Sequence, residues 1–180
     1  MDICVYQRSA SRSDKSRHGV GTMPDTPTPH DPITAYHEAG HAVVALCLGR
    51  PVHRVSVLPN RDRLGQCEFG KGRFKPSDDA LERECLIALA GLAAEARHTG
   101  KYQLEGANQD LRYVRRLVLE RKSERAAPRY EERLLSKVEA MLGDDETWRA
   151  VELIAAELLK HGVISGRAAR HLFEQATAEK

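Results

Sequence analysis

One segment constrains the fold of this chain more than any other. Residues 31–51 hold a run, ITAYHEAGHAVVALCLG, set between a helix start and a helix stop. Asp31 is a good N-cap, because its carboxylate can accept from the free amides of a first turn, and Pro32 at the first helical position loses no hydrogen bond. Apolar residues then recur at three-to-four spacing until Gly49, Arg50 and Pro51 end the pattern, which predicts a helix of about four turns. Inside it stands His37-Glu38-Ala39-Gly40-His41. Residues four apart share a helical face, so both imidazoles can converge on one ion while Glu38 projects beside them. Two imidazoles, one further ligand and a position open to water suit catalytic zinc, which lowers the pKa of a water to about 7 and polarises a carbonyl. Glu38 is then placed to take that water's proton rather than to ligate. The small Ala39 and Gly40 let another element approach this face closely.

The neighbouring segments read as a small sheet followed by helices. VHRVSVL (52–58) alternates, residues 59–63 make a turn, and LGQCEF (64–69) returns as a second strand. Gly65 in that run suits a bulge or a place where another part of the chain comes close. Ser77, Asp78 and Asp79 open a long helix that closes near Gly100. Four more helical stretches follow: QDLRYVRRLVLERK, PRYEERLLSKVEAML ended by Gly143, ETWRAVELIAAELLKH stopped by Gly162, and SGRAARHLFEQAT after the N-cap Ser165. The fold class is α+β and predominantly helical, with the histidine helix beside a small β-hairpin or sheet and a helical C-terminal half.

Composition narrows the rest. At 180 residues the chain suits one domain, and Lys+Arg 28 against Asp+Glu 26 is too balanced for a nucleic-acid coat. No apolar run reaches the ~18–20 residues of a membrane helix. Cys4, Cys47, Cys67 and Cys85 form no C-x-x-C pair, as expected of a cytoplasmic protein. Residues 1–31, rich in Ser, Arg, Gly and Pro, are expected to be a disordered leader, with Met23 a rival start. The domain is then 32–180, divided into a metal-site half (32–123) and a helical tail (124–180). The basic residues Arg112, Arg115, Arg116, Arg121, Lys122, Arg125 and Arg129 are interrupted by Glu120 and Glu124 and read as a solvated helix face. Cys67 reads as a small apolar filler, Trp148 as a core or contact residue, and His161 and His171 stand at no metal spacing. Any later acid could complete the metal site, with Glu95, Glu105 and Asp110 in contention.

AYHEAGHAVVA (35–45) resembles the zinc helix of FtsH-type peptidase domains. VHRVSVLPNRDRLGQCEF resembles that family's paired strands, LIALAGLAAEARHTG (86–100) its helix with a Gly-rich "LGGRAAE" pattern, and EGANQDL (105–111) its "GA-x-x-DL" stretch. The resemblance covers about 33–111. It implies an Asp-zincin with His37, His41 and Asp110 as zinc ligands and Glu38 as the general base. The match is incomplete: Ala90, Gly91 and Leu92 replace the double-Gly-Arg, and the residues after Asp110 lack the usual Ala-Thr and Gly-Met-Ser patterns. No Gly-x-x-x-x-Gly-Lys-Ser/Thr phosphate loop occurs in the sequence either.

The expected function is a zinc-dependent endopeptidase acting on unfolded or extended polypeptide, with no ATPase of its own and no nucleic-acid partner. Leu64, Gly65, Gln66 and Cys67 form its candidate substrate-binding strand, since an edge strand can pair with an extended peptide. A non-catalytic zinc-containing adaptor and a regulatory protease specific for one cellular protein are the alternatives. An ATPase acting in trans and a homo-oligomer are left open.

Overall fold

The computed structural model describes residues 5–6, 30–59, 64–70, 79–103 and 107–178. In chain order the elements are β1 (Val5–Tyr6), α1 (Pro32–Cys47), β2 (Val52–Ser56), β3 (Gln66–Phe69), α2 (Ala80–Thr99), α3 (Asn108–Leu119), α4 (Ala127–Gly143), α5 (Asp145–His161), β4 (Val163–Ser165) and α6 (Gly166–Thr177). The predominantly helical α+β class expected from the sequence is what forms.

The first helix begins as its sequence dictates. Asp31 accepts from the amides of Ile33 and Thr34 at 3.2 and 3.1 Å, and Pro32 occupies the first turn. α1 is not a surface helix with one apolar stripe, because every residue from Ala39 to Ala45 is buried. That burial on all sides follows from its small side chains, which let neighbours pack around it. α2 comes closest. A Cβ on Gly40 would lie 2.6 Å from both the Ala90 carbonyl oxygen and the Ala94 methyl.

The sheet is antiparallel in the order β1-β3-β2-β4. β2 pairs with β3 through Val55 opposite Cys67 and Ser56 opposite Gln66, so Val55 and Cys67 enter the core together. The irregularity lies between Val52 and Arg54, not at Gly65. Gly65 instead precedes β3 and fits the other expectation for it, close approach, with Thr34 and Glu38 of α1 against it. β4, which the sequence pattern did not predict, is a three-residue strand that follows the αL residue Gly162 and ends on the cap Ser165. The expected 59–63 turn falls largely outside the described residues. So does the leader, except for Val5 and Tyr6, which pair with β3.

One apolar cluster links all six helices to the sheet, including Val43, Ile87, Val114, Leu134, Ile154 and Ala169. Rings lock its rim. Tyr36 of α1 stacks on His98 of α2 with centroids 3.7 Å apart, Trp148 of α5 lies 5.7 Å from Tyr36, and the Arg97 guanidinium covers Trp148. The basic residues around α3 do face solvent, where Arg115 pairs with Glu131 and Arg121 with Asp79. No helix among the described residues is long and apolar enough to cross a membrane.

The start of α6 lies close against the backbone of β2. A Cβ on Gly166 would fall 1.8 Å from the Val52 carbonyl oxygen, whereas one on Gly143 meets nothing within 4 Å. Gly166→Ala is therefore expected to lower unfolding stability by about 2 kcal/mol or more, and Gly143→Ala to change it by less than about 0.5 kcal/mol. Urea titration of both variants checks this, and equal stability would contradict the packing.

Candidate metal centre

His37 and His41 lie one turn apart on α1, fully buried, with their Nε2 atoms separated by 3.1 Å. α3 brings Asp110 to the same point, its Oδ2 being 3.3 Å from His37 Nε2 and 3.5 Å from His41 Nε2. Asp110 heads the buried stripe of α3, with Val114 and Val118 behind it at four-residue spacing. The amphipathicity of that helix thus aims a carboxylate at the core.

The outer ring nitrogens are also engaged. His41 Nδ1 donates to the Ile87 carbonyl oxygen at 2.7 Å. A carbonyl only accepts, so the neutral ring carries its proton there and keeps the Nε2 lone pair free. His37 Nδ1 donates to Glu95 Oε2 at 3.2 Å, with the same consequence. Carboxylate–imidazole pairs of this kind fix the orientation of a metal-binding histidine. Glu95, in contention as a third ligand from sequence, therefore stands behind His37 and not beside the shared point. Glu105 lies outside the described residues.

The electrostatics favour a cation. Burial opposes charge on His37, but Asp110 and Glu95, followed by Glu38, outweigh it and push its pKa up to about 9. Burial likewise opposes charge on Asp110, yet the two histidines hold its carboxyl below the ordinary range. A pocket that favours positive charge this strongly is equally suited to a divalent ion held by deprotonated ligands.

The donor set fits zinc. Tetrahedral ligands at 2.0–2.1 Å from an ion stand about 3.3 Å from one another, and the three separations here bracket that value. Among the described residues, His37, His41 and Asp110 are the group of three metal-ligating side chains with mutually close donors. Space for an ion is kept by a residue whose role the sequence reading did not assign. A Cβ on Gly91 of α2 would lie 2.5 Å from His41 Nε2 and 2.6 Å from His37 Nε2. Its signal was a glycine inside a helical Ala/Leu run, where it costs about 1 kcal/mol relative to Ala.

Glu38 is fully buried next to His37, and Gly65 abuts it: a Cβ there would be 2.6 Å from Glu38 Oε1. Within the candidate substrate strand, Gly65 thus lies against Glu38. Leu64 and Gln66 are half-buried. Cys67 is wholly buried in the core, where burial pushes its thiol well above the usual range, so it acts as the apolar filler expected.

The sequence model of peptidase family M41 matches residues 28–122, just over half of the chain. The chain belongs to peptidase family M41. It is similar to the ATP-dependent zinc metalloprotease FtsH of Rickettsia bellii, 36% identical over 91 residues, which cover 48% of this chain and 14% of that protein. The FtsH of Chlamydia trachomatis is 34% identical over 89 residues, 47% of this chain and 10% of that protein. The FtsH of Magnetococcus marinus is 43% identical over 67 residues, 34% of this chain and 10% of that protein. The matches thus take in only a small fraction of the length of these relatives. Family membership makes Zn²⁺ the implied ion and a peptide-bond hydrolase the implied enzyme class, and the donor set agrees with the ion.

If Gly91 keeps the cradle open, Gly91→Ala should weaken zinc binding at least about tenfold while the secondary structure persists. Competition with a chromophoric chelator measures this. Unchanged affinity would mean that Gly91 does not shape the site.

Proposed function

We propose that this chain is a zinc-dependent endopeptidase that cleaves unfolded or extended polypeptide segments, with His37, His41 and Asp110 as the ligands and Glu38 as the general base. The observation that carries the reading is the convergence of three buried donors, His37, His41 and Asp110, with the buried carboxylate of Glu38 beside them. Bound zinc would polarise the scissile carbonyl and lower the pKa of the attacking water.

Glu38 does the proton work. It takes a proton from the water as the water oxygen bonds to the carbonyl carbon, then returns a proton to the amide nitrogen as the C–N bond breaks. Its fixed place follows from its position between His37 and the small Ala39, inside a helix clamped on all sides. A zinc-containing adaptor would need the three ligands but not this acid.

Extended substrate is the reading that best suits a site whose residues are almost wholly buried. A strand can be brought to Gly65 and Glu38 with its backbone pairing to residues 64–67, whereas a folded domain presents few free strands. Global opening of such a domain costs about 5–15 kcal/mol. Catalysis by these 180 residues is proposed to be independent of ATP, because the sequence holds no phosphate-cradling Gly-rich loop.

The test pairs metal content with turnover of an unfolded protein such as reduced casein, with and without ATP. Asp110→Ala should lose most of its zinc while Glu105→Ala keeps it. Glu38→Gln should keep stoichiometric zinc and lose activity by about 10²-fold or more. Full zinc in Asp110→Ala, or wild-type turnover in Glu38→Gln, would overturn the assignment.

A further inference from the structure

β3 has two sides. β2 pairs with one of them, through Val55 opposite Cys67 and Ser56 opposite Gln66. The other side is the edge that an extended peptide would need in order to reach Gly65 and Glu38. That edge is already taken: Val5 pairs with Glu68 and Tyr6 with Cys67, antiparallel. The strand direction is informative. From Val5 to Tyr6 the partners step from Glu68 to Cys67, so β1 runs toward the Gln66 end of β3, the end that follows Gly65. Gly65 in turn abuts Glu38.

We infer that the outer edge of β3 is a polypeptide-docking surface whose resident occupant is the chain's own Val5–Tyr6 strand, which extended substrate must displace. The inference rests on the peptidase reading for its consequence but not for its test. Backbone pairing carries it, and backbone pairing is indifferent to side chains, so a strand of another polypeptide can replace β1 without matching its sequence. Two residues contribute few ladder hydrogen bonds, each of small net value in water, which makes the occupant displaceable. Occupancy lowers the apparent affinity for any competing strand in proportion to the fraction of molecules with a vacant edge.

The experiment uses the full chain in a zinc-loaded Glu38→Gln background, so that bound peptide is not consumed. Val5→Pro with Tyr6→Pro removes the two backbone donors of β1 and alters no residue outside it. The probe is a fluorescent peptide of residues 1–10 with Cys4→Ser. It should bind the proline variant about tenfold or more tightly than the parent, and the β3 amides of Cys67 and Glu68 should exchange hydrogen faster in that variant. Protection of α1 amides, unchanged between the two, reports that the fold is intact.

Equal peptide binding by both forms, binding by neither, or equal exchange at β3 would overturn the inference. A difference that disappears on dilution to nanomolar protein would assign the occupant to a second copy and overturn occupancy within one chain. In the Glu38 parent, the same prolines should raise kcat/KM for an extended peptide by a similar factor. Absence of any turnover in both forms would count against the peptidase reading, while the binding and exchange results would still decide the edge.

Discussion

The closeness of α1 to α2 is the constraint on which the rest of the molecule depends. It is possible only because Gly40 presents no side chain to Ala90 and Ala94, and because Gly91 presents none to the imidazoles. With that spacing, α2 does three things at once for the histidines. Its Ile87 carbonyl fixes one ring, its Glu95 carboxylate fixes the other, and Gly91 between them leaves room at both Nε2 atoms. Residues 87, 91 and 95 are one helical turn apart, so a single face of α2 lines the site. A larger residue at position 40 or 91 would disturb all three contacts together.

The same arrangement concentrates carboxylates where water is scarce. Glu38, Glu95 and Asp110 are all buried close to His37. Unpaired charges in such surroundings are costly, and cations balance them at the smallest cost. A centre of this kind is stable when occupied and strained when only protons are available to neutralise it. Metal binding and folding are therefore linked: an ion that binds the native pocket and not the unfolded chain adds to stability by mass action. Asp110 shows how the fold accommodates this, since it takes a position on α3 that an apolar residue would ordinarily fill.

Local signals in the sequence marked what local chemistry controls. The Asp31-Pro32 start, the His37/His41 spacing, the Ser165 cap and the stops at Gly100 and Gly162 all appear where they were expected, and of the three residues Ser77, Asp78 and Asp79 expected to open the second helix it is Asp79 that caps it. Parts that depend on pairing across the chain were not legible in the same way. β1 and β4 are two and three residues long, too short for an alternation to register, and only β3 and β2 turn them into strands. Glu95 could not be separated from Asp110 by residue type. The distinction is spatial, between the outer nitrogen of His37 and its inner one, and it is set by helices 58 and 73 residues away. Gly91 was visible in the sequence only as a glycine inside a helical Ala/Leu run, and its purpose emerges when the imidazoles are seen beneath it.

The proposed centre joins two imidazoles from α1 and one carboxylate from α3 in a single zinc site. X-ray absorption at the zinc edge, on the full chain loaded with one equivalent of Zn²⁺, tests it most directly. The expected result is a first coordination sphere of nitrogen and oxygen donors only, with the multiple-scattering pattern of two imidazoles. Its nearest-atom distances should fall at about 2.0–2.2 Å. A sulfur donor at about 2.3 Å, or scattering from a single imidazole, would contradict it.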